Sequence, residues 1–97
     1  MTKGYWVAHV DVDDAEGYKA YVAANAAPFA RFGARFVVRG GAADVVEGGF
    51  RARTVVVEFP SLEAARACYD SPEYQAAKAL RDPVSRADLV ILEGDDD

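Results

Sequence analysis

At 97 residues, 52% hydrophobic and 28% charged, the chain is sized for one small domain and has no room for two. Its formal net charge of −5 excludes the basic face that nucleic-acid binding needs. The single cysteine excludes an intrachain disulfide and zinc-finger spacing, and no apolar run nears about 18 residues. No metal, cofactor or membrane partner is expected, and the expected compartment is the cytoplasm.

Residues 4–12 read as a strand. Tyr5, Val7, His9 and Asp11 share one face, and Trp6, Ala8, Val10 and Val12 share the other. The second set is wholly apolar and is expected to meet the core. Asp13 and Asp14 offer helix caps, and Glu16 favours a helix start. A helix to about Phe32 follows, with Tyr18, Tyr21, Val22, Asn25, Phe29 and Phe32 on one broad face. Pro28 is expected to kink it or end its regular part, and Gly33 to stop it.

Residues 34–40 alternate Arg35, Val37 and Arg39 against Phe36, Val38 and Gly40, a half-polar strand. Residues 44–47 are expected to extend it after a bulge, before Gly48-Gly49 turns the chain. Strand 52–59 then runs antiparallel to it. Its three consecutive valines expect burial, while Arg53 and Glu58 place a charge near each end. Ser61 caps the next helix, and Ser71-Pro72-Glu73 restarts it with a cap, a proline at the first position and an acidic residue. Asp82-Pro83 ends that helix, and residues 87–93 form the last strand.

The order strand, helix, strand, strand, helix, strand predicts a ferredoxin-like α+β fold. Two helices are expected on one face of a four-stranded antiparallel sheet. Residues 1–94 are expected to form that single domain, with 95–97 as an acidic tail. The uncovered sheet face carries Val, Phe and Leu residues, so a homodimer is expected to bury it.

Several segments resemble the DUF1330 family. They are Gly4-Tyr5-Trp6, Tyr18-Lys-Ala-Tyr21, Phe36-Val-Val-Arg39-Gly-Gly and Glu47-Gly48. Arg53-Thr-Val-Val-Val-Glu58-Phe-Pro-Ser61, Tyr69-Asp-Ser71-Pro-Glu73-Tyr74-Gln and Val90-Ile-Leu-Glu93-Gly94 complete the match. The resemblance spans nearly the whole chain in order. It implies the dimeric α/β-barrel superfamily, in which two ferredoxin-like sheets face each other. That superfamily holds cofactor-independent monooxygenases, haem-degrading, dehalogenating and isomerising enzymes, and plain ligand-binding modules. The family itself has no established activity, so the resemblance implies fold further than function.

The expected function is binding of a small organic molecule in a pocket between sheet and helices, with cofactor-independent catalysis in that pocket as an extension. The alternative is a non-catalytic, dimeric ligand-binding or stress-related module. His9 is the only histidine, and so a candidate general base or proton shuttle; otherwise it is a hydrogen-bonded residue at a sheet or dimer surface. Glu58 is a candidate acid or base if its face meets the helices near Tyr69 or Tyr74; otherwise it forms a structural ion pair. Arg39 and Arg53 can grip a carboxylate with two guanidinium forks, or pair with Glu47 and Glu58 to hold the hairpin. Tyr21, Asn25, Tyr69 and Tyr74 can line the pocket or serve as satisfied core. Asn25 can alternatively satisfy carbonyls freed by Pro28. Trp6 and Cys68 read as core.

Overall fold

The computed structural model describes residues 2–95. Of the tail at 95–97, Asp96 and Asp97 lie outside the described residues, as does Met1. Strand β1 (Gly4–Val12) leads into helix α1 (Ala15–Arg31), then strands β2 (Arg35–Arg39) and β3 (Arg53–Phe59). Helices α2 (Leu62–Asp70) and α3 (Pro72–Arg81), a 3-10 turn at Asp82–Val84 and strand β4 (Ser85–Glu93) complete it. The strands form one antiparallel sheet in the order β2-β3-β1-β4, with the helices against one face. This is the ferredoxin-like arrangement.

Each helix begins where a side chain replaces missing backbone partners. The Asp14 carboxylate accepts from the amides of Glu16 and Gly17 at 3.1 and 3.2 Å. Ser61 Oγ accepts from the Ala64 amide at 3.0 Å. Ser71 Oγ accepts from the Tyr74 amide at 3.1 Å and donates to the Cys68 carbonyl at 2.7 Å, so one hydroxyl closes α2 and opens α3.

Cross-strand pairing sorts the sheet into two faces. Trp6 lies opposite Val57 on one side and Ile91 on the other, and all three face the helices. The core is aromatic, with Trp6, Phe29, Phe59 and Tyr74 meeting at ring-centroid separations of 4.8–6.3 Å. Edge-on packing dominates, as the ring quadrupole favours. The Trp6 indole N–H donates to the Ala65 carbonyl at 2.9 Å, so the ring is buried without losing its hydrogen bond. Gly4 sits where α2 starts; a Cβ there would overlap the Ser61 carbonyl and approach Leu62 Cα at 2.7 Å. Only glycine lets β1 run this close to the helix.

Two local readings are settled. Helix α1 runs through Pro28 to Arg31, close to the expected end near Phe32, so Pro28 does not terminate it; Pro28 is buried and its carbonyl accepts from the Phe32 amide at 3.1 Å. Residues 44–47 do not extend β2. The β2–β3 ladder ends at the Arg39–Val55 pair, and Gly40, at φ +70°, turns the chain away. Only glycine adopts that backbone freely. With β3 beginning at Arg53, the valines at 45 and 46 find no strand to pair with and stay exposed.

A further difference bears on the site. The register between β2 and β3 shifts between Phe36 and Val38, leaving Val37 as an extra residue. Phe36 lies opposite Val57, and Arg39 lies opposite Val55. Both partners face the helices, so Phe36 and Arg39 share a face. Simple alternation places them on opposite faces; the bulge reverses the phase and turns Arg39 inward.

Candidate functional site

A cavity of about 50 Å³ lies between sheet and helices and opens through a mouth, atom-free space including the mouth reaching about 590 Å³. Its walls are apolar: Trp6 and Val10 from β1, Phe29 from α1, Val55 from β3 and Leu89 from β4. Strand alternation delivers the strand residues, since every second one faces the helices, and helical three-and-four spacing delivers Phe29.

The polar groups of the lining are few, and three are guanidinium groups. Arg39 reaches the cavity through the bulge and lies over the Phe36 ring at 4.0 Å. Arg53 enters from the first residue of β3, beside Gly40, and its Nε is buried with no hydrogen-bond partner. Arg81 comes from the last turn of α3 and is 7% exposed, with its guanidinium 5.5 Å from the Tyr21 ring centre. Asn25, on α1, is 6% exposed, and its amide has no hydrogen bond among the described residues. It therefore does not repair the helix at Pro28.

Tyr21 is also in the wall, and its hydroxyl meets that of Tyr74 at 2.9 Å. Burial pushes the Tyr74 phenol far above its ordinary range, neighbouring Tyr21 adds to this, and Arg81 opposes it. Burial likewise raises Tyr18, another residue of the lining. Tyr74 and Tyr18 are thereby held in the protonated form. Tyr69 packs against Trp6 and Tyr74 in the core but is not part of the lining.

His9 and Glu58 lie on the other face of the sheet. His9 Nδ1 is 3.0 Å from Thr54 Oγ1, and its ring packs on Phe50 at 5.0 Å. His9, Thr54 and Phe50 border a shallow groove of about 520 Å³ formed largely by the exposed 43–52 loop. That groove is larger than the cavity but unwalled. Glu58 lies opposite Tyr5 and Arg35 in the ladder, so it cannot approach the cavity tyrosines. Its carboxylate accepts from Lys3 at 3.1 Å, from the Tyr5 hydroxyl at 3.2 Å and from Arg35 at 3.3 Å. The Lys3 hydrogen bond leads in holding its pKa below the ordinary carboxylate value against partial burial, with Arg35 assisting. The expected pairing of Glu58 with Arg53 is thereby corrected, because the two residues point to opposite faces. Glu47 is exposed on the loop and pairs with neither arginine.

The arrangement thus brings Arg39, Arg53, Tyr21 and Asn25 together, with Tyr74 bonded behind Tyr21. It leaves His9, Glu58 and Tyr69 outside the cavity. Arg81, Tyr18 and the Trp6 wall are additions that the sequence reading missed. Arg81 was legible: Tyr74, Ala77 and Arg81 recur at the three-and-four spacing of one helix face.

A family model for a domain of unknown function, DUF1330, matches residues 3–95. The chain belongs to the DUF1330 family. No curated protein matches it. Among solved structures, this DUF1330 chain is similar to a protein of unknown function from Rhodopseudomonas palustris, at TM-score 0.74 and 20% identity over 94% of this chain and 81% of that one. It is also similar to SnoaB, a cofactor-independent oxygenase from Streptomyces nogalater, at TM-score 0.66 and 16% identity over 100% and 97% of the two chains. A dimeric ferredoxin-like protein of unknown function from Thermobifida fusca aligns at TM-score 0.60 and 20% identity, over 95% and 89%. At these identities the likeness is one of fold.

Proposed function

We propose that the protein is a homodimer that binds a small organic molecule in the cavity between sheet and helices of each subunit. The observation that carries this reading is the apolar cavity itself, into which Arg39, Arg53 and Arg81 bring three guanidinium groups and no carboxylate. A concave, mostly apolar space with a few convergent polar groups is the usual form of a small-molecule site. The Asn25 amide at the same space adds to the argument. The dimer rests on the outer sheet face, where Val38, Val90 and Leu92 are 41–47% exposed. The similar Thermobifida fusca protein is described as dimeric. The compartment we propose is the cytoplasm, where a lone buried thiol such as Cys68 remains unpaired.

Trp6, the only tryptophan, forms part of the cavity wall and supplies the test. Titration with a library of small organic molecules is expected to yield compounds that change Trp6 emission and shift the amide resonances of Asn25 and Val55. Hits whose shifts cluster instead around His9 and Thr54 would remove the reading.

A second reading is catalytic. The lining contains no His, Asp or Glu, so the cavity suits a reactant that arrives as an anion and is held as one, rather than one deprotonated by a side chain. The fold likeness to an oxygenase described as cofactor-independent is compatible with such a reaction. Measured oxygen uptake in the presence of an anionic, electron-rich hit separates it from binding alone.

A further inference from the structure

We infer that the cavity's ligand is a small carboxylic acid, with its apolar body against Trp6, Val55 and Leu89 and its carboxylate gripped by Arg39 and Arg53. The inference rests on the cavity reading above and names the chemical class of its occupant.

The first argument is a charge inventory. The chain carries 16 acidic residues against 11 basic ones, so carboxylates are plentiful. Arg31, Arg35, Arg51, Arg81 and Arg86 each have one within 4 Å. Arg39 and Arg53 have none among the described residues, and no Asp or Glu lines the cavity they share. Arg66 also lacks one, but it lies on α2 outside the cavity lining. Arg39 and Arg53 thus reach an apolar space that none of the chain's carboxylates lines.

The bulge in β2 points the same way. In an unbulged ladder continuing from the Phe36–Val57 pair, Arg39 would fall opposite Thr54 and turn to the outer face. The irregularity places Arg39 opposite Val55, two residues from Arg53 on the same face of β3. Diagonal neighbours of this kind stand about 7–8 Å apart, within reach of two long side chains converging on one group. The Arg39 guanidinium also lies over the Phe36 ring, 4.0 Å from its centre, a cation–π contact that holds it beside the cavity.

The shape of the donors selects the class of anion. Planar forks suit a planar carboxylate. A phosphate site ordinarily adds free backbone amides from a helix N-terminus; the first-turn residue in this lining, Tyr18 of α1, already gives its amide to the Asp14 carbonyl at 3.0 Å. The walls otherwise offer an apolar body little but van der Waals surface, and the space admits only a small one.

Matched pairs decide it: benzoate against benzamide, and hexanoate against hexanamide, titrated at neutral pH and low salt with Trp6 emission as the readout. The acids are expected to bind roughly tenfold or more tighter than their amides, as charge-assisted bidentate contacts are stronger than neutral ones. Arg39→Gln, at an exposed position, and Arg53→Gln are each expected to weaken acid binding until its preference over the amide is lost. Arg66→Gln is expected to change neither. Equal affinity for acid and amide would overturn the carboxylate assignment and leave the cavity reading standing. A preference that survives in the Arg39→Gln, Arg53→Gln double variant would also overturn it. Silence from every acid and amide would remove this inference together with the cavity reading.

Discussion

Tyr74 is fully buried at the meeting point of α1, α3 and β1, where its hydroxyl meets that of Tyr21 at 2.9 Å with the Arg81 guanidinium beside it. Replacing it with Phe keeps the aromatic packing against Trp6 and Phe29 but strands the Tyr21 hydroxyl beside the cavity. Tyr74→Phe is expected to cost about 1–2 kcal/mol, read as a lowered midpoint in urea with an unchanged slope. An unchanged midpoint would mean that the cavity hydrates the freed hydroxyl. Single residues were unevenly legible beforehand. Trp6, Tyr21 and Asn25 stand in uninterrupted periodic segments, so their faces followed from the spacing alone. Arg39 did not, because one extra residue at Val37 reverses its face and leaves no mark in the alternation.

The junction of α2 and α3 shows the same dependence on a single group. Ser71 is 6% exposed, and its hydroxyl serves the Cys68 carbonyl and the Tyr74 amide together. The start of α3 relies on that one oxygen, which also positions Tyr74, whereas the Cys68 carbonyl has the Ser71 amide as a second donor at 3.2 Å. Ser71→Ala is expected to destabilise the protein by about 1–2 kcal/mol through loss of a buried cap. Amide exchange should quicken across 70–75 before it does in β1. Equal protection across that segment in the variant would show that packing alone holds the junction. Helix starts were legible in the sequence because caps are local: Asp14, Ser61 and Ser71 act within three residues of themselves. The expected strand at 44–47 failed because strand pairing is not local, and β3 begins too late to offer those residues a partner.

Over the whole molecule, the two sheet faces have different chemistry. The outer face combines exposed valine and leucine with the Lys3–Glu58–Arg35 and Arg51–Asp11 ion pairs. If two such faces pair, light scattering at micromolar concentration should give twice the chain mass of 10.4 kDa. Val90→Arg with Leu92→Lys, both at outward positions of β4, is expected to leave a folded monomer; a dimer persisting in that variant would place the interface elsewhere. Acid should weaken the fold through the same face. The pKa of Glu58 is lowered by Lys3 foremost, and that of Asp11 by the Ala52 amide foremost, each against partial burial. A carboxylate whose folded pKa lies below its unfolded one stabilises fully above the unfolded value, near 4.5 for Glu58 and 3.8 for Asp11. That contribution is lost as pH falls through the folded value. Midpoints should therefore drop below about pH 4.5, and Glu58→Gln should flatten the acid limb while leaving the slope above pH 6 unchanged.

The order of elements, the helix caps, the apolar face of β1 and the resemblance to DUF1330 were determined by the sequence itself. Each depends on residues within a few positions of one another, or on their order along the chain. Which side of the sheet each charge takes was decided only by the tertiary structure. Alternation along a strand gives relative facing, and the pairing of β3 with β1 and β2 converts it into absolute facing. That pairing sends Glu58 outward to Lys3 and Arg35, while a single-residue bulge in β2 brings Arg39 inward to join Arg53. The candidate site exists because those two non-local choices put cations without carboxylates around one apolar space.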